Sequence, residues 1–402
     1  MNILFLTVIK INEISERGIY TDLIRKFRVE GHSVYVASPN ERRFNEKTEL
    51  KQSDGVNLLK IKTLNIQKTN IIEKGIATLL LENQFHREIN QYFGNIKFDL
   101  ILYSTPPITF TKVVKAIKKR DGAKSYLLLK DIFPQNAVDL GMMKENGILY
   151  RLFRRKERLM YAVSDFIGCM SPANVDYVLK YNPQIPVKTV EVCPNSIQLD
   201  NLKFEEKDSS SIRRQYNIKK DATIFIYGGN LGKPQGLDFL LEVLGSNKNK
   251  KDRFFIIIGS GTEWNKIAEW FKLNNISNAI LINGLPKLEY DKLVKACDIG
   301  LIFLDKRFTI PNYPSRLLSY LEYKMPIITA TDTNSDIGSI ALQNKYGFFC
   351  ENGNLDDFNE LLNKFVGDKA LIQEMGENGY QFLSNNYTVD KSYQIIMKHL
   401  SK

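Results

Sequence analysis

Four segments in the second half of the chain combine residue types that could hold a phosphate. The first is Tyr227-Gly228-Gly229-Asn230-Leu231-Gly232-Lys233-Pro234-Gln235-Gly236, in which small residues let a ligand approach the backbone and Lys233 supplies charge. The second is Ile257-Ile258-Gly259-Ser260-Gly261-Thr262-Glu263, where Thr262 could equally cap a helix. The third, Asn283-Gly284-Leu285-Pro286, precedes a helix that Pro286 would suit. The fourth runs from Phe308 through Pro314-Ser315-Arg316 to Glu322-Tyr323-Lys324-Met325-Pro326. Arg316 falls in a first helical turn, where positive charge opposes the helix dipole unless an anion lies nearby. Ser315, Ser319 and Glu322 share a helical face at spacings of four and three, as a ligand-binding row or a solvated polar face. No Gly-Lys-Ser/Thr follows any of these glycines, so none is a Walker motif.

The first half carries a different chemistry. Asp131 follows Lys130 at the end of the apolar run Tyr126–Leu129, where it could cap the next turn. Arg151, Arg154, Arg155 and Arg158 line one helical face by their i, i+3, i+4, i+7 spacing, while Leu149, Leu152, Phe153 and Met160 occupy another. Such a helix reads as a membrane-surface or pyrophosphate-lipid contact, or as a solvated face over an ordinary core stripe. The Lys115–Arg120 cluster extends the basic patch. Residues 1–200 hold 30 Lys+Arg against 21 Asp+Glu, a balance of +9; the remainder holds 26 against 24. That asymmetry points the first half toward an anionic partner.

Metal and redox chemistry find no framework. Cys169, Cys193, Cys297 and Cys350 are dispersed and show no CxxC spacing, which predicts buried reduced thiols. His32, His86 and His399 share no ligand spacing. No stretch reaches the ~20 apolar residues of a spanning helix, and Met1–Lys10 reads as a first strand rather than a secretory signal.

Short β-branched runs alternating with helical stretches would position these residues, the pattern of a parallel sheet covered on both faces. Strands are predicted at Ile3–Val8, Ser33–Ala37, Asp99–Ser104, Lys124–Leu129, Phe166–Met170 and Thr189–Val192, with helices over Tyr20–Val29, Ile71–Tyr92 and Thr109–Lys119. A polar segment, Gln198–Lys219, interrupts the alternation. It restarts with strands at Thr223–Tyr227, Phe254–Ile258, Ala279–Leu281, Ile299–Phe303, Pro326–Thr329 and Gly347–Cys350. Two successive doubly wound α/β domains follow, each with its own core. In such sheets ligands lie beyond the carboxyl ends of the strands.

The ordered second-half segments resemble the second domain of family 4 glycosyltransferases of the GT-B fold. The first half is similar in Leu129-Lys130-Asp131-Ile132-Phe133-Pro134, Gly141, Ser164-Asp165, Met170-Ser171-Pro172 and Pro194-Asn195, closest in pattern to the bacterial O-antigen and capsule L-fucosamine-transferase branch. The resemblance implies an acceptor-binding domain over 1–196 and a nucleotide-sugar domain over 197–383. A C-terminal helix, 384–402, would cross back to the first domain, with hinges near 196–200 and 380–388. It implies a retaining, metal-independent transferase of hexose or N-acetylaminosugar, needing no cofactor. The donor would be a UDP-sugar, and the acceptor membrane-associated, such as a polyprenyl-diphosphate-linked sugar. The enzyme would then be cytoplasmic and peripheral at the inner face of the membrane.

By the same resemblance Asp131 faces the transferred sugar, and Gly18, Gly229, Asn230, Lys233, Gly259, Leu285, Ser315, Arg316, Ser319 and Glu322 surround the donor. The sequence departs from the family at Asn230 and Gln235, where relatives carry Arg and Lys, and at Ser319, where many carry Glu. Lys233 and Arg316 would take over the diphosphate, and Glu322 the ribose. Two other functions remain open at this level: a GT-B sugar-nucleotide 2-epimerase, which the scarce histidines disfavour, and a basic nucleic-acid binder, for which no binding signature is present.

Overall fold

The structure is a computed structural model that describes residues 1–66, 71–199 and 210–400. It resolves into two units, Met1–Gln198 with Thr388–Lys402, and Leu199–Tyr387. Of the polar segment Gln198–Lys219, residues 200–209 lie outside the described residues.

The strands of the first unit are β1 (Asn2–Leu6), β2 (Ser33–Glu41), β3 (Glu49–Ser53), β4 (Val56–Thr63), β5 (Leu100–Ser104), β6 (Lys124–Leu129), β7 (Phe166–Cys169) and β8 (Val190–Val192). Its helices are α1 (Ile19–Val29), α2 (Ile71–Phe93), α3 (Thr111–Asp121), α4 (Gln135–Asp139), α5 (Ile148–Val163) and α6 (Pro172–Tyr181). The sheet order is β3-β4-β2-β1-β5-β6-β7-β8, parallel except for β3. The hairpin β3–β4 is absent from the sequence reading. Its signal was Asp54-Gly55, whose φ angles of 51° and 73° suit the tight turn that Asp-Gly favours between paired strands.

β1 is buried because its run Ile3-Leu4-Phe5-Leu6 lies in mid-sheet, and α1 covers it with Tyr20, Leu23, Ile24 and Phe27 at helical spacing. Each such side chain contributes about 1.5–3 kcal/mol on burial. Asp22, fully buried, accepts from Gly18 N (3.0 Å) and Gln198 N (2.9 Å), fixing the start of α1 and the end of the unit's first segment.

The second unit contains α7 (Ser210–Gln215), β9 (Thr223–Asn230), α8 (Leu237–Asn247), β10 (Arg253–Ser260), α9 (Trp264–Asn274), β11 (Ala279–Asn283) and α10 (Lys287–Lys295). It continues with β12 (Ile299–Phe303), α11 (Arg316–Glu322), β13 (Ile327–Thr331), α12 (Ile337–Gln343), β14 (Gly347–Glu351), α13 (Leu355–Phe365) and α14 (Lys369–Asn386). The parallel order is β11-β10-β9-β12-β13-β14. Its core joins Phe225, Phe255 and Phe303 from the strands to Phe239, Phe358 and Phe365 from the helices.

The last helix, α15 (Val389–Met397), belongs to the first unit and packs on α1. Tyr393 of α15 meets Phe27 edge-on at 5.1 Å, and its hydroxyl lies 3.0 Å from His32 Nε2. His399 stacks on Phe166 at 3.8 Å and bonds Glu191 at 2.7 Å. All four cysteines are buried free thiols.

Candidate functional site

The second unit's sheet reverses direction between β9 and β12. The chain steps outward from β9 to β10 and β11, then returns to the far side of β9 with β12, β13 and β14. β9 and β12 pair only at Ile299↔Phe225 and Gly300↔Ile226, so their carboxyl ends are not laddered. A crevice at such a reversal is where ligands of doubly wound sheets sit. The glycine turn after β9 and the start of α11 flank it.

Arg316 fills this point. Its Nη2 donates to Gln235 Oε1 (2.7 Å), and its guanidinium lies 4.4 Å from the Tyr227 ring centroid. A Cβ on Gly229 would come within 3.6 Å of that guanidinium, so the bare backbone and the cation lie side by side. Nη1 is shut off from solvent and has no hydrogen-bond partner among the described residues. A solvent-excluded guanidinium N–H left without an acceptor costs about 1–3 kcal/mol, which an anion would offset. Gly229, Asn230 and Lys233 are exposed at the mouth. Behind them Tyr320 Oη accepts from Gly228 N (3.0 Å), and burial pushes the Tyr290 phenol up to about 12.

The other predicted donor residues separate by depth. Gly259 has a packing reason: a Cβ there would lie 1.7 Å from Gly229 O. The turns after β9 and β10 are stitched by Leu231 N to Ser260 O (3.0 Å) and Glu263 N to Leu231 O (2.9 Å). Thr262 does not cap α9, whose N-cap is Glu263 with no side-chain bond. Leu285 is half-buried, following the edge strand β11. Ser315 is exposed and Ser319 half-buried, whereas Glu322 is buried and 4% exposed. The row is therefore not an evenly solvated face: α11 turns its second half into the core, leaving Ser319 the more accessible candidate for a ribose hydroxyl.

In the first unit the direction reverses between β1 and β5. Thr105, just beyond β5, ties its loop to the next: its Oγ1 accepts from Lys130 N (2.9 Å) and Asp131 N (3.1 Å). Asp131 Oδ1 accepts from Asn136 Nδ2 (2.8 Å), and burial pushes the carboxyl up to about 6. The side chain of Asp131 thus braces the loop before α4 and remains a carboxylate poised to titrate. Gly18 is extended (φ 179°), so neither its angle nor a turn demands glycine there.

Lys130 was not singled out from sequence. Its Nζ donates to Cys193 O (3.2 Å), and burial lowers its pKa to about 8. The available signal was a lysine closing an otherwise apolar strand of a doubly wound sheet, a position that points to the ligand end.

The basic helix needs two corrections. Arg154 is not part of an open arginine face: it binds Glu157 Oε2 (2.5 Å), Tyr181 O (2.8 Å) and Asn182 Oδ1 (2.9 Å) within the fold. Leu149 and Leu152 are exposed rather than core, because the inner side of α5 is supplied by Glu157, Met160 and Tyr161. Arg151, Arg155 and Arg158 are exposed.

Residues 208–382 match the family described as "Glycosyl transferases group 1". That match lies within the second unit. The chain is 23% identical over 285 residues to the probable glycosyltransferase WbjE of Pseudomonas aeruginosa, covering 70% of this chain and 69% of that one. It is 20% identical over 250 residues to the putative colanic acid biosynthesis glycosyl transferase WcaI of Escherichia coli K12, covering 61% and 60%. HepE of Anabaena in complex with UDP-glucose superposes with a TM-score of 0.69 at 14% identity, over 100% of this chain and 99% of that chain. At that identity the likeness concerns the fold, and the fold is GT-B. The specific L-fucosamine-transferase branch has no counterpart among these names.

Proposed function

We propose that the chain transfers a hexose or N-acetylaminosugar from a UDP-sugar to a membrane-associated acceptor, such as a polyprenyl-diphosphate-linked sugar, in bacterial surface polysaccharide synthesis. The observation that carries this reading is the solvent-excluded Nη1 of Arg316, without a partner among the described residues, beside the bare Gly229 backbone at the strand-order reversal of the unit that matches group 1 glycosyl transferases. Residues 197–383 would hold the donor and residues 1–196 with the C-terminal helix the acceptor, at the inner face of the cytoplasmic membrane.

In this reading Arg316, with Lys233 at the mouth, neutralises the diphosphate while charge builds on it, using groups already in place. The sugar C1 exchanges its bond to the diphosphate oxygen for one to the acceptor hydroxyl oxygen, and the hydroxyl proton leaves with the nucleoside diphosphate. The ionised Asp131 carboxylate would orient the sugar as positive charge develops at C1, and Ser319 would contact the ribose. The anomeric configuration would be retained, with no metal required.

The test is calorimetric titration with UDP and GDP in EDTA, on wild type and Arg316→Ala. UDP binding that the substitution weakens about a hundredfold supports the reading. UDP binding untouched by it removes Arg316 from the site, and absence of any nucleotide binding removes the donor assignment.

A further inference from the structure

The outer surface of α2, α3 and α5 combines exposed aliphatic side chains with basic charge. Ile148 is 87% exposed and Leu149 59%, with Leu152 and Leu159 also open to solvent. At ~100° per residue, Ile148, Leu152 and Leu159 fall within about 40° of arc, and Arg151, Arg155 and Arg158 occupy the adjoining 60° or so. An aliphatic ridge therefore runs beside an arginine ridge along the same exposed side of one helix.

The neighbouring helices continue it. α3 packs against α5, held by Lys118 Nζ to Val163 O (2.8 Å), and exposes Lys112, Lys115 and Lys119 one turn apart. α2 packs against α3, where Glu82 accepts from Lys112 N, and it exposes Ile76, Leu79 and Leu80. Glu82 also lies within electrostatic reach of Lys156 of α5, so the three helices meet around it. The carboxylates of α3 and α5 are Asp121 and Glu157; they are held by Arg120 and Arg154, and neither is exposed. Every exposed charge on α3 and α5 is therefore positive.

We propose that this face docks on an anionic lipid bilayer, the aliphatic side chains entering the headgroup boundary and the lysines and arginines meeting lipid phosphates. Exposed aliphatics interleaved with single-sign basic charge fit that environment, where apolar burial and attraction to anionic lipid add. A second copy of the chain fits poorly, because a two-fold contact would set these arginines and lysines against their own counterparts. Phe133 packs on Phe153 of α5 at 5.0 Å, so the loop that begins with Asp131 rests directly on the docking helix. A lipid-borne acceptor would thus be presented close to the carboxylate proposed to face the sugar. The inference rests on the proposed function for its cellular side; the surface itself is independent of the donor site.

The experiment is co-sedimentation of the full chain with vesicles of phosphatidylglycerol mixed with phosphatidylcholine, and with phosphatidylcholine alone. Wild type is expected on the anionic vesicles only, with binding that weakens as salt rises. Near an anionic surface each basic residue is worth about fivefold in partitioning. Arg151→Ser/Arg155→Ser/Arg158→Ser should therefore lose about a hundredfold, and Leu149→Glu/Leu152→Glu should abolish binding. Far-UV circular dichroism and UDP titration accompany each variant. Should the leucine variant misfold, the arginine variant decides alone. Wild type that ignores anionic vesicles, or variants that bind them as well as wild type, would overturn the proposal. So would retention by duplex DNA without vesicle binding, or a dimer that the leucine substitutions dissociate while vesicle binding persists. Vesicle binding without UDP binding would leave the docking surface standing and sink the donor site alone.

Discussion

The two units share one construction, a doubly wound sheet with loops gathered at the carboxyl ends of its strands, yet they handle charge in opposite ways. In the second unit, where basic and acidic residues nearly balance, the charge that matters is a single guanidinium held inward against Tyr227 and Gln235. In the first unit a surplus of nine positive charges over residues 1–200 shows most clearly on outer helices, while beyond β6 an amine and an acid, Lys130 and Asp131, stand next to each other in the chain, both perturbed by burial. An inward, preorganised cation suits a small anion whose shape is fixed. An outward basic surface suits a large, deformable one. On the proposed readings, the same architecture would serve two kinds of anion recognition by changing only where side chains lie.

Substitutions can break this comparison. The largest effect is expected at Asp131: Asp131→Asn should lower kcat about 10²–10³-fold, the cost typical of removing one electrostatic stabiliser. The wild-type rate should fall as pH drops through about 6, where the carboxyl takes up its proton, and the variant should lack that acid limb. Because the folded-state pKa is raised, this group's effect on stability runs the other way, with stability falling as pH rises from the unfolded value toward 6. A rate profile with the same acid limb in both proteins would dismiss Asp131 from the reaction.

Next comes the backbone contact beneath the donor turn. Gly259→Ala places a methyl against Gly229 O at a φ of 156°, and should destabilise the chain by roughly 3 kcal/mol in urea unfolding. A near-neutral result would mean that the two turns can separate. Gln235→Ala tests how firmly Arg316 is held. It should weaken UDP binding about tenfold, less than removal of the arginine itself, and a double-mutant cycle should show the two coupled.

The smallest expected change is a gain. Lys130 loses much of its solvation, with a pKa drawn down to about 8, so Lys130→Met should stabilise the chain by about 1 kcal/mol at pH 7 after allowing for the lost charge-assisted bond to Cys193 O. Since the folded pKa lies below the unfolded one, wild-type stability rises as pH passes from 8 toward 10.5, and the advantage of methionine should shrink over that range. Destabilisation by Lys130→Met, followed by thermal unfolding across that range, would instead show that the amine supports the fold.

Much of this was legible in the chain. Local pattern placed twelve of the strands, since runs such as Ile3–Leu6 and Ile299–Phe303 must be buried on both faces, which only the middle of a covered sheet provides. The turns after β9 and β10 were readable because glycine there answers to backbone geometry. The hairpin β3–β4 escaped because β3 is a polar edge strand and β4 interrupts its apolar run with Asn57, Lys60 and Lys62, so alternation is weak and the Asp54-Gly55 turn was the strongest sign. Lys130 escaped because a lone lysine beside a strand has no periodicity to reveal it.

By itself, then, the sequence determined the alternation of elements, the two-fold repetition of the doubly wound plan, the glycine turns and the uneven charge, all of which depend on neighbours within a few residues. Tertiary structure alone decided which charges are internal and which are offered to a partner. Arg154 and Arg155 are adjacent and chemically identical, yet one is spent on Glu157 and Asn182 while the other faces solvent. Leu149 and Leu152 look like core residues, yet the inward side of α5 is made by Glu157, Met160 and Tyr161, which leaves both leucines exposed. Arg316 gains its meaning from Gln235 and Tyr227, more than eighty positions earlier, brought to its side where the sheet reverses direction. Burial and partnership are properties of pairs distant in the chain, and local periodicity carries no information about which pairs will meet.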